Sequence, residues 1–310
     1  MKILKWIGII IGAVLLIGLI SAFYLKSKFE NGAQRNLAPL ISDIKILDDS
    51  ASLIRGKVLA VECRICHGND LAGKPFFNDP QIGYMSSPNL TRAVGSNTEK
   101  YTDKDYIRAL RHGVKPNGQP VMVMPSESIG QLSDEDLGCL VGYLKTVEKV
   151  EKPLGSTNFT MFAKILAGAG AFGDMYPYDI IDHNAVQSIK APEHSTSKEY
   201  GAYITRYIGC AKCHGEHFNG GVSPDPISPP PTNITPTGNI GKWSLAQFKE
   251  TMRGGKTPEG KILEDKFMPW SGIAAHDDIE IEALYTYLKS LPPLPNSKEY
   301  EAKAKEWNSK

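Results

Sequence analysis

The sequence predicts a mainly α chain: an N-terminal transmembrane helix followed by two copies of one small helical domain with long loops. Three observations carry this. Residues 6–25 hold no charge, two later segments share one residue pattern at a nearly constant offset, and Gly, Pro, Asn and Ser crowd the stretches between candidate helices. At 310 residues the chain exceeds one ordinary domain. A hydrophobic share of 41% against 22% charged is that of a folded protein, and a net charge of +1 gives no basis for a nucleic-acid partner.

The uncharged run WIGIIIGAVLLIGLISAFYL is long enough to cross a bilayer core as a helix. A cleaved signal peptide has a shorter apolar core and an A-x-A-like site, whereas Ser21-Ala22-Phe23 is a poor one, so residues 1–25 are expected to be an uncleaved anchor. Lys2 and Lys5 on one side face Lys26, Lys28 and Arg35 on the other, so charge alone does not orient it. Residues 26–49 are mixed in character and read as a stalk.

The repeat follows. Cys63, Cys66 and His67 correspond to Cys210, Cys213 and His214 at an offset of 147. Asn89 and Thr91 match Asn233 and Thr235 at 144, and Tyr101, Arg111, Gly113 and Gly118 match Trp243, Arg253, Gly255 and Gly260 at 142. Met124-Pro125 matches Met268-Pro269 at 144, as do Leu137, Leu140, Val141 and Leu144 against Ile281, Leu284, Tyr285 and Leu288. The last set falls at i, i+3, i+4 and i+7, one apolar helical face, and each such helix opens on a capping pattern, Ser133 to Asp136 and Asp277 to Glu280. The domains are therefore placed at 50–150 and 193–295. Helices are expected at about 50–62 and 197–209 before each cysteine pair, and through 102–112 and 244–253. Loops at 68–98 and 215–241 are too long for a compact domain unless a large apolar cofactor supplies the missing core. Residues 151–192 form a linker whose apolar run Phe159 to Phe172 carries Lys164 and is too short to span a bilayer; a helix packed between the domains is favoured over a membrane-surface role. Residues 296–310 read as a polar, solvated tail.

C-x-x-C-H occurs twice and is the spacing of c-type haem attachment. Two thiols three residues apart can each add to one porphyrin vinyl group, and the adjacent imidazole then lies where it can bind iron. A four-cysteine zinc site needs its two pairs close in sequence, and a thioredoxin-type pair needs a βαβ context that is missing. Met124 and Met268, each followed by proline ahead of a closing helix, are the candidate sixth ligands, with Met122 close enough to compete with Met124. Arg111 and Arg253 could pair with haem propionates or be solvated helix-end cations. Tyr101 and Trp243 read as aromatics packed on haem. Cys139 matches Ala283 within the closing helix and reads as a small buried thiol. The unmatched histidines, His112, His183, His194, His217 and His276, read mostly as surface residues, the alternative being that one of them replaces a methionine as iron ligand.

On these motifs each repeat resembles a class I cytochrome c domain: C-x-x-C-H after one helix, then Met-Pro before a closing helix that ends Tyr-Leu-Lys. The segments at Met124-Pro125-Ser126 and Met268-Pro269-Trp270 are similar to membrane-anchored bacterial cytochromes that serve dehydrogenases or oxidases. The resemblance implies two covalently attached haem c groups, His67/Met124 and His214/Met268 iron ligation, and one-electron transfer with no catalysis of its own. It implies assembly outside the cytoplasm: a single-pass protein of the bacterial inner membrane with its haem domains in the periplasm. The expected partners are a dehydrogenase, a quinol-oxidising complex or a terminal oxidase, and no small-molecule substrate is expected. The alternatives are a dihaem peroxidase, which needs one open iron, and an obligate cytochrome subunit of an oxidase or dehydrogenase complex.

Overall fold

The computed structural model describes residues 2–223 and 227–309; the outermost residue at each end, and residues 224–226 of the second long loop, lie outside that description. Helix α1 (Lys2–Ala33) is uncharged from Trp6 to Leu25, and its apolar side chains there are mostly exposed. Its 32 residues make it about 48 Å long at the usual helical rise, and it runs about two turns beyond the expected anchor. The stretch expected to be a stalk differs in a second way. Beyond α1 it lies as a strap on the first domain, with Ile44 buried and the Leu37 N–H donating to the Gly118 carbonyl at 2.8 Å.

The first repeat runs α2 (Ser50–Leu59), α3 (Val61–His67), the hairpin β1 (Lys74–Asp79) and β2 (Gly83–Ser87), α4 (Asp103–His112), α5 (Ser126–Ile129) and α6 (Asp134–Thr146). Local chemistry fixes the ends. Asp49 caps α2, Thr102 and Asp105 form a capping box on α4, and Ser133 caps α6. The hairpin lies in the first long loop, where the sequence signals only a loop. It is completed by β3 (Asn158–Phe159) from the linker in a three-stranded antiparallel sheet of order β1-β2-β3, a pairing too remote in sequence to read locally.

The linker continues into α7 (Met161–Gly168), which packs against α1 rather than between the domains. The second repeat then gives α8 (Lys198–Ile208), α9 (Cys210–His214), α10 (Leu245–Gly254), α11 (Trp270–Ala274) and α12 (Asp278–Ser290). The tail folds as α13 (Lys298–Trp307), docked by Ser297, whose hydroxyl donates to the Gly220 carbonyl at 2.7 Å.

Each domain closes where its first and last helices cross. A Cβ on Gly56 of α2 would lie 2.7 Å from Tyr143 Cβ of α6, and one on Gly201 of α8 would lie 2.7 Å from Tyr287 Cβ of α12. Glycine lets the two backbones touch, and the facing residues are the small Cys139 and Ala283. The apolar cores are continuous across the repeats, joining Leu132, Leu137 and Leu140 to Tyr200, Tyr203 and Tyr207. Polar bonds stitch the same seam. The Tyr203 hydroxyl donates to Asp136 Oδ2 at 2.6 Å and accepts the Ser133 N–H at 2.9 Å.

Candidate functional site

Helices α3 and α9 present their cysteines three residues apart with the histidine one further on, so all three project from one helical face. Each helix stops at a glycine, Gly68 or Gly215, with φ of +83° in both. The chain then turns back identically. Gly73 N–H donates to the His67 carbonyl at 2.8 Å and Gly220 N–H to the His214 carbonyl at 3.0 Å. Leu90 bonds back to Leu71 as Ile234 does to Phe218, and both Leu71 and Phe218 adopt the left-handed conformation.

The histidines are buried and held alike. His67 Nδ1 lies 2.8 Å from the Pro88 carbonyl and His214 Nδ1 lies 2.7 Å from the Thr232 carbonyl. A carbonyl only accepts, so Nδ1 carries the proton and Nε2 keeps its lone pair, the tautomer a metal requires. Burial lowers both imidazole pKa values and so favours the neutral, ligating form, partly offset by those carbonyl bonds. The next residues explain a recurrence visible in the sequence. Asn89 Oδ1 accepts from the Thr91 N–H and hydroxyl at 2.8 and 2.7 Å, Asn233 does the same for Thr235, and each amide donates onward to Val150 or Leu294. Both asparagines are buried, which rules out glycan attachment on the folded chain.

All five cysteines are free thiols. Burial pushes Cys63 and Cys210 up to about 12, and raises Cys66 and Cys213, the opposite of the depressed pKa that a redox-active pair needs. Among the described residues no group of three or more His, Cys, Asp or Glu is gathered to hold a lone metal ion. Paired cysteines with no disulfide between them, on one helical face with an imidazole whose Nε2 is free, fit haem c. Cys63, Cys66, Cys210 and Cys213 would make the thioether links, and His67 and His214 would face the irons.

The methionine loops also match. Ser126 N–H donates to the Met124 carbonyl at 2.8 Å and Trp270 N–H to the Met268 carbonyl at 2.7 Å, so each Met-Pro forms a tight turn centred on proline. Met124 and Met268 are both half-buried against the core. Between Met122 and Met124 stands Val123 at φ +66°, an uncommon conformation for a β-branched residue, held by its N–H on the Met175 carbonyl at 2.9 Å.

Arg111 and Arg253, candidates for propionates, share another task. Arg111 is fully buried, donates to the Gly130 carbonyl at 2.7 Å and pairs with Asp134 at 2.6 Å; Arg253 donates to the Ala274 carbonyl and pairs with Asp278 at 2.9 Å. Each guanidinium ties the end of the short helix after the methionine to the start of the closing helix. Tyr101 packs edge-on to Tyr106 at 5.4 Å, and Trp243 is buried with its indole N–H on Glu259 at 2.8 Å. His112 and His276 are buried rather than on the surface.

Two pairs of partners escaped the sequence reading: Gly56 with Gly201, and the carbonyls of Pro88 and Thr232. Both pairs sit at equivalent positions, so extending the repeat alignment by a few residues would have found them.

The repeats bury each other's sites reciprocally. Gly272, in the helix after Met268, lies against Glu62, which directly precedes Cys63. Gly209, directly before Cys210, faces the helix after Met124, where a Cβ on it would lie 3.2 Å from Ser128 Cβ. Lys212 pairs with Glu127 across the same seam.

Comparison with known proteins places the chain in a family. The cytochrome c family model matches residues 53–148 and again 200–292. The chain is 27% identical over 271 residues to the fructose dehydrogenase cytochrome subunit of Gluconobacter japonicus, covering 78% of this chain and 53% of that protein. It is 25% identical over 277 residues to the cytochrome c subunit of the quinone alcohol dehydrogenase of Gluconacetobacter polyoxogenes, covering 80% and 58%. A shorter match, 33% over 113 residues, is to the gluconate 2-dehydrogenase cytochrome c subunit of Pantoea cypripedii, covering 33% and 25%. The chain thus spans little more than half the length of the first two relatives.

Proposed function

The chain belongs to the cytochrome c family, and from that premise we propose that it is a membrane-anchored dihaem electron relay serving a dehydrogenase as its cytochrome subunit. It is mainly helical and carries one N-terminal helix long and apolar enough to cross a membrane. Its family implies covalently bound haem c, and two C-x-x-C-H sites built alike support two such groups.

One observation carries the reading: both histidines have Nδ1 committed to a backbone carbonyl, and both repeats present a methionine from the same proline-centred turn. Haem supplies the one-electron chemistry. The Pro88 and Thr232 carbonyls fix each imidazole's tautomer and orientation, and Met124 and Met268 would each supply a thioether to the iron, which raises the potential. His67 with Met124 and His214 with Met268 are the proposed ligands; a closed iron suits transfer and leaves no place for peroxide. The reciprocal seam at Glu62–Gly272 and Gly209–Ser128 supports direct exchange between the two centres.

The apolar helix α1, the one among the described residues long and apolar enough to cross a membrane, supports a bacterial inner-membrane location with the haem domains in the periplasm, where haem c is attached. The donor is proposed to be a dehydrogenase subunit, as the relatives' names indicate, and the acceptor a quinone pool or terminal oxidase. The purified full chain should contain two haem c per polypeptide by pyridine haemochrome assay, and should be reduced by the catalytic part of a fructose or alcohol dehydrogenase of the kind its relatives serve, in the presence of that enzyme's substrate. One haem per chain, or reduction by no such enzyme, would overturn it.

A further inference from the structure

Relay between haems leaves the apolar end of the linker helix unexplained. Helix α7 runs antiparallel to the C-terminal part of α1. Lys164 Nζ lies 2.8 Å from Glu30 Oε1, while four residues on, the Gly168 backbone touches the Leu25 carbonyl. Continuing past Gly168 therefore leads toward the apolar body of α1. Ala163 and Gly168 are buried in this contact, small residues that let two helices approach closely.

Charge marks one level on both elements. Lys26 and Lys164 both pair with Glu30. Beyond that cluster there is no charge on α1 from Leu25 back to Trp6, and none on the linker from Ile165 through Gly173. The turn after α7 bonds most of its own N–H groups, with Ala169 donating to Ile165, Gly170 to Ala167 and Ala171 to Leu166, each at 3.0 Å, and Gly173 to Gly170 at 3.1 Å. Ala169, Gly170 and Ala171 are exposed, and Phe172 is 42% exposed, so the turn presents apolar surface with no protein over it.

We propose that the turn 169–173 inserts into the lipid bilayer beside α1 as a second membrane element, with the Lys26–Glu30–Lys164 cluster at headgroup level. The occupant is lipid because this surface is continuous with the apolar face of the anchor and ends at the same charged level. With most of its N–H groups bonded within the turn and its remaining carbonyls left to headgroups and interfacial water, the segment suits shallow insertion, about 5–10 Å into the boundary between headgroups and acyl chains. With two elements in the membrane, the haem domains are held at a fixed height and tilt instead of swinging on one helix. The inference rests on reading α1 as membrane-spanning.

The test is cysteine accessibility in the full haem-loaded chain in vesicles that hold no other protein. The background is Cys139→Ala, since the other four cysteines carry haem. Phe172→Cys is compared with Leu16→Cys in the anchor and Asn308→Cys in the exposed tail, using a charged maleimide that stays in water. A thiol in lipid cannot form the reactive thiolate, so Phe172→Cys should react at least about tenfold more slowly than Asn308→Cys, at every protein-to-lipid ratio. Ala171→Cys repeats the test should Phe172→Cys lose its haem spectrum. If Leu16→Cys is protected while Phe172→Cys and Ala171→Cys react like Asn308→Cys, the turn is aqueous and the proposal fails although the anchor stands. If Leu16→Cys also reacts freely, the anchor reading itself fails and takes the proposal with it.

Discussion

Arg55 of the first repeat and Glu280 of the second are ion-paired at 2.6 Å, and the same guanidinium grips Asp136 of its own domain at 2.7 Å. Glu280 is 2% exposed and also accepts from the Tyr200 hydroxyl at 3.1 Å and from His276 Nδ1 at 2.9 Å. The two domains are therefore locked by a buried charge network on one side and by the seam between their C-x-x-C-H sites and methionine loops on the other.

Removing one member strands the rest in an apolar seam. Arg55→Ala should destabilise the folded chain by about 3 kcal/mol, the usual cost of leaving a buried partner unpaired. The thermal transition followed at the haem absorbance should move to lower temperature and split in two. An unchanged single transition would show that the network does not couple the domains.

The same network sets an acid limit. Burial would raise Glu280, but the His276 hydrogen bond and the His276 and Arg55 charges outweigh it and hold the carboxyl at about 2, below its usual 4.5. A depressed carboxyl contributes stability that is complete above 4.5 and is lost as pH falls toward about 2. Melting temperatures of the native chain should fall through that window, and Glu280→Gln should flatten the fall from a lower starting stability.

A second titration acts at higher pH. Burial, helped by the neighbouring His183 and Arg111, lowers His112 to about 4 from 6.5. The folded chain resists a proton that the unfolded chain accepts below 6.5, so stability falls as pH drops from 6.5 toward about 4. His112→Gln should remove that part of the slope, which urea unfolding at pH 7, 6 and 5 would reveal.

The helix crossings tolerate no side chain. Gly56→Ala and Gly201→Ala should each cost roughly 1–3 kcal/mol by forcing the first and last helices of a domain apart. The pyridine haemochrome yield should fall for the altered repeat alone if the domains take up haem separately.

The repeat, the C-x-x-C-H sites, the Met-Pro loops and the closing helices were all legible in the sequence because each depends on local spacing. What escaped depends on distance. The β1–β2 hairpin gains its third strand, Asn158 and Phe159, from beyond the first domain, and the strap around Ile44 acquires its path only by lying on Gly138 and Gly142 of α6. Arg111 and Arg253 recur visibly, yet their spacing alone could not tell a propionate from the carbonyls of Gly130 and Ala274. His112 and His276 looked like surface residues because no repeat partner marked them, whereas tertiary packing buries both.

Axial ligation is the centre of the electron-relay reading, and the near-infrared spectrum of the ferric chain tests it most directly. Two irons bound by Met124 and Met268 should give a sulfur-to-iron charge-transfer band with the intensity of two such haems per chain. Met124→Ala and Met268→Ala should each remove half of it and lower one midpoint potential by a sizeable part of the about 0.8 V that axial ligands command, while Met122→Ala leaves both unchanged. A band that is absent or fits one haem would contradict that ligation and leave an iron open to peroxide or bound by two histidines, and a band that disappears with Met122→Ala would make Met122 the ligand in place of Met124.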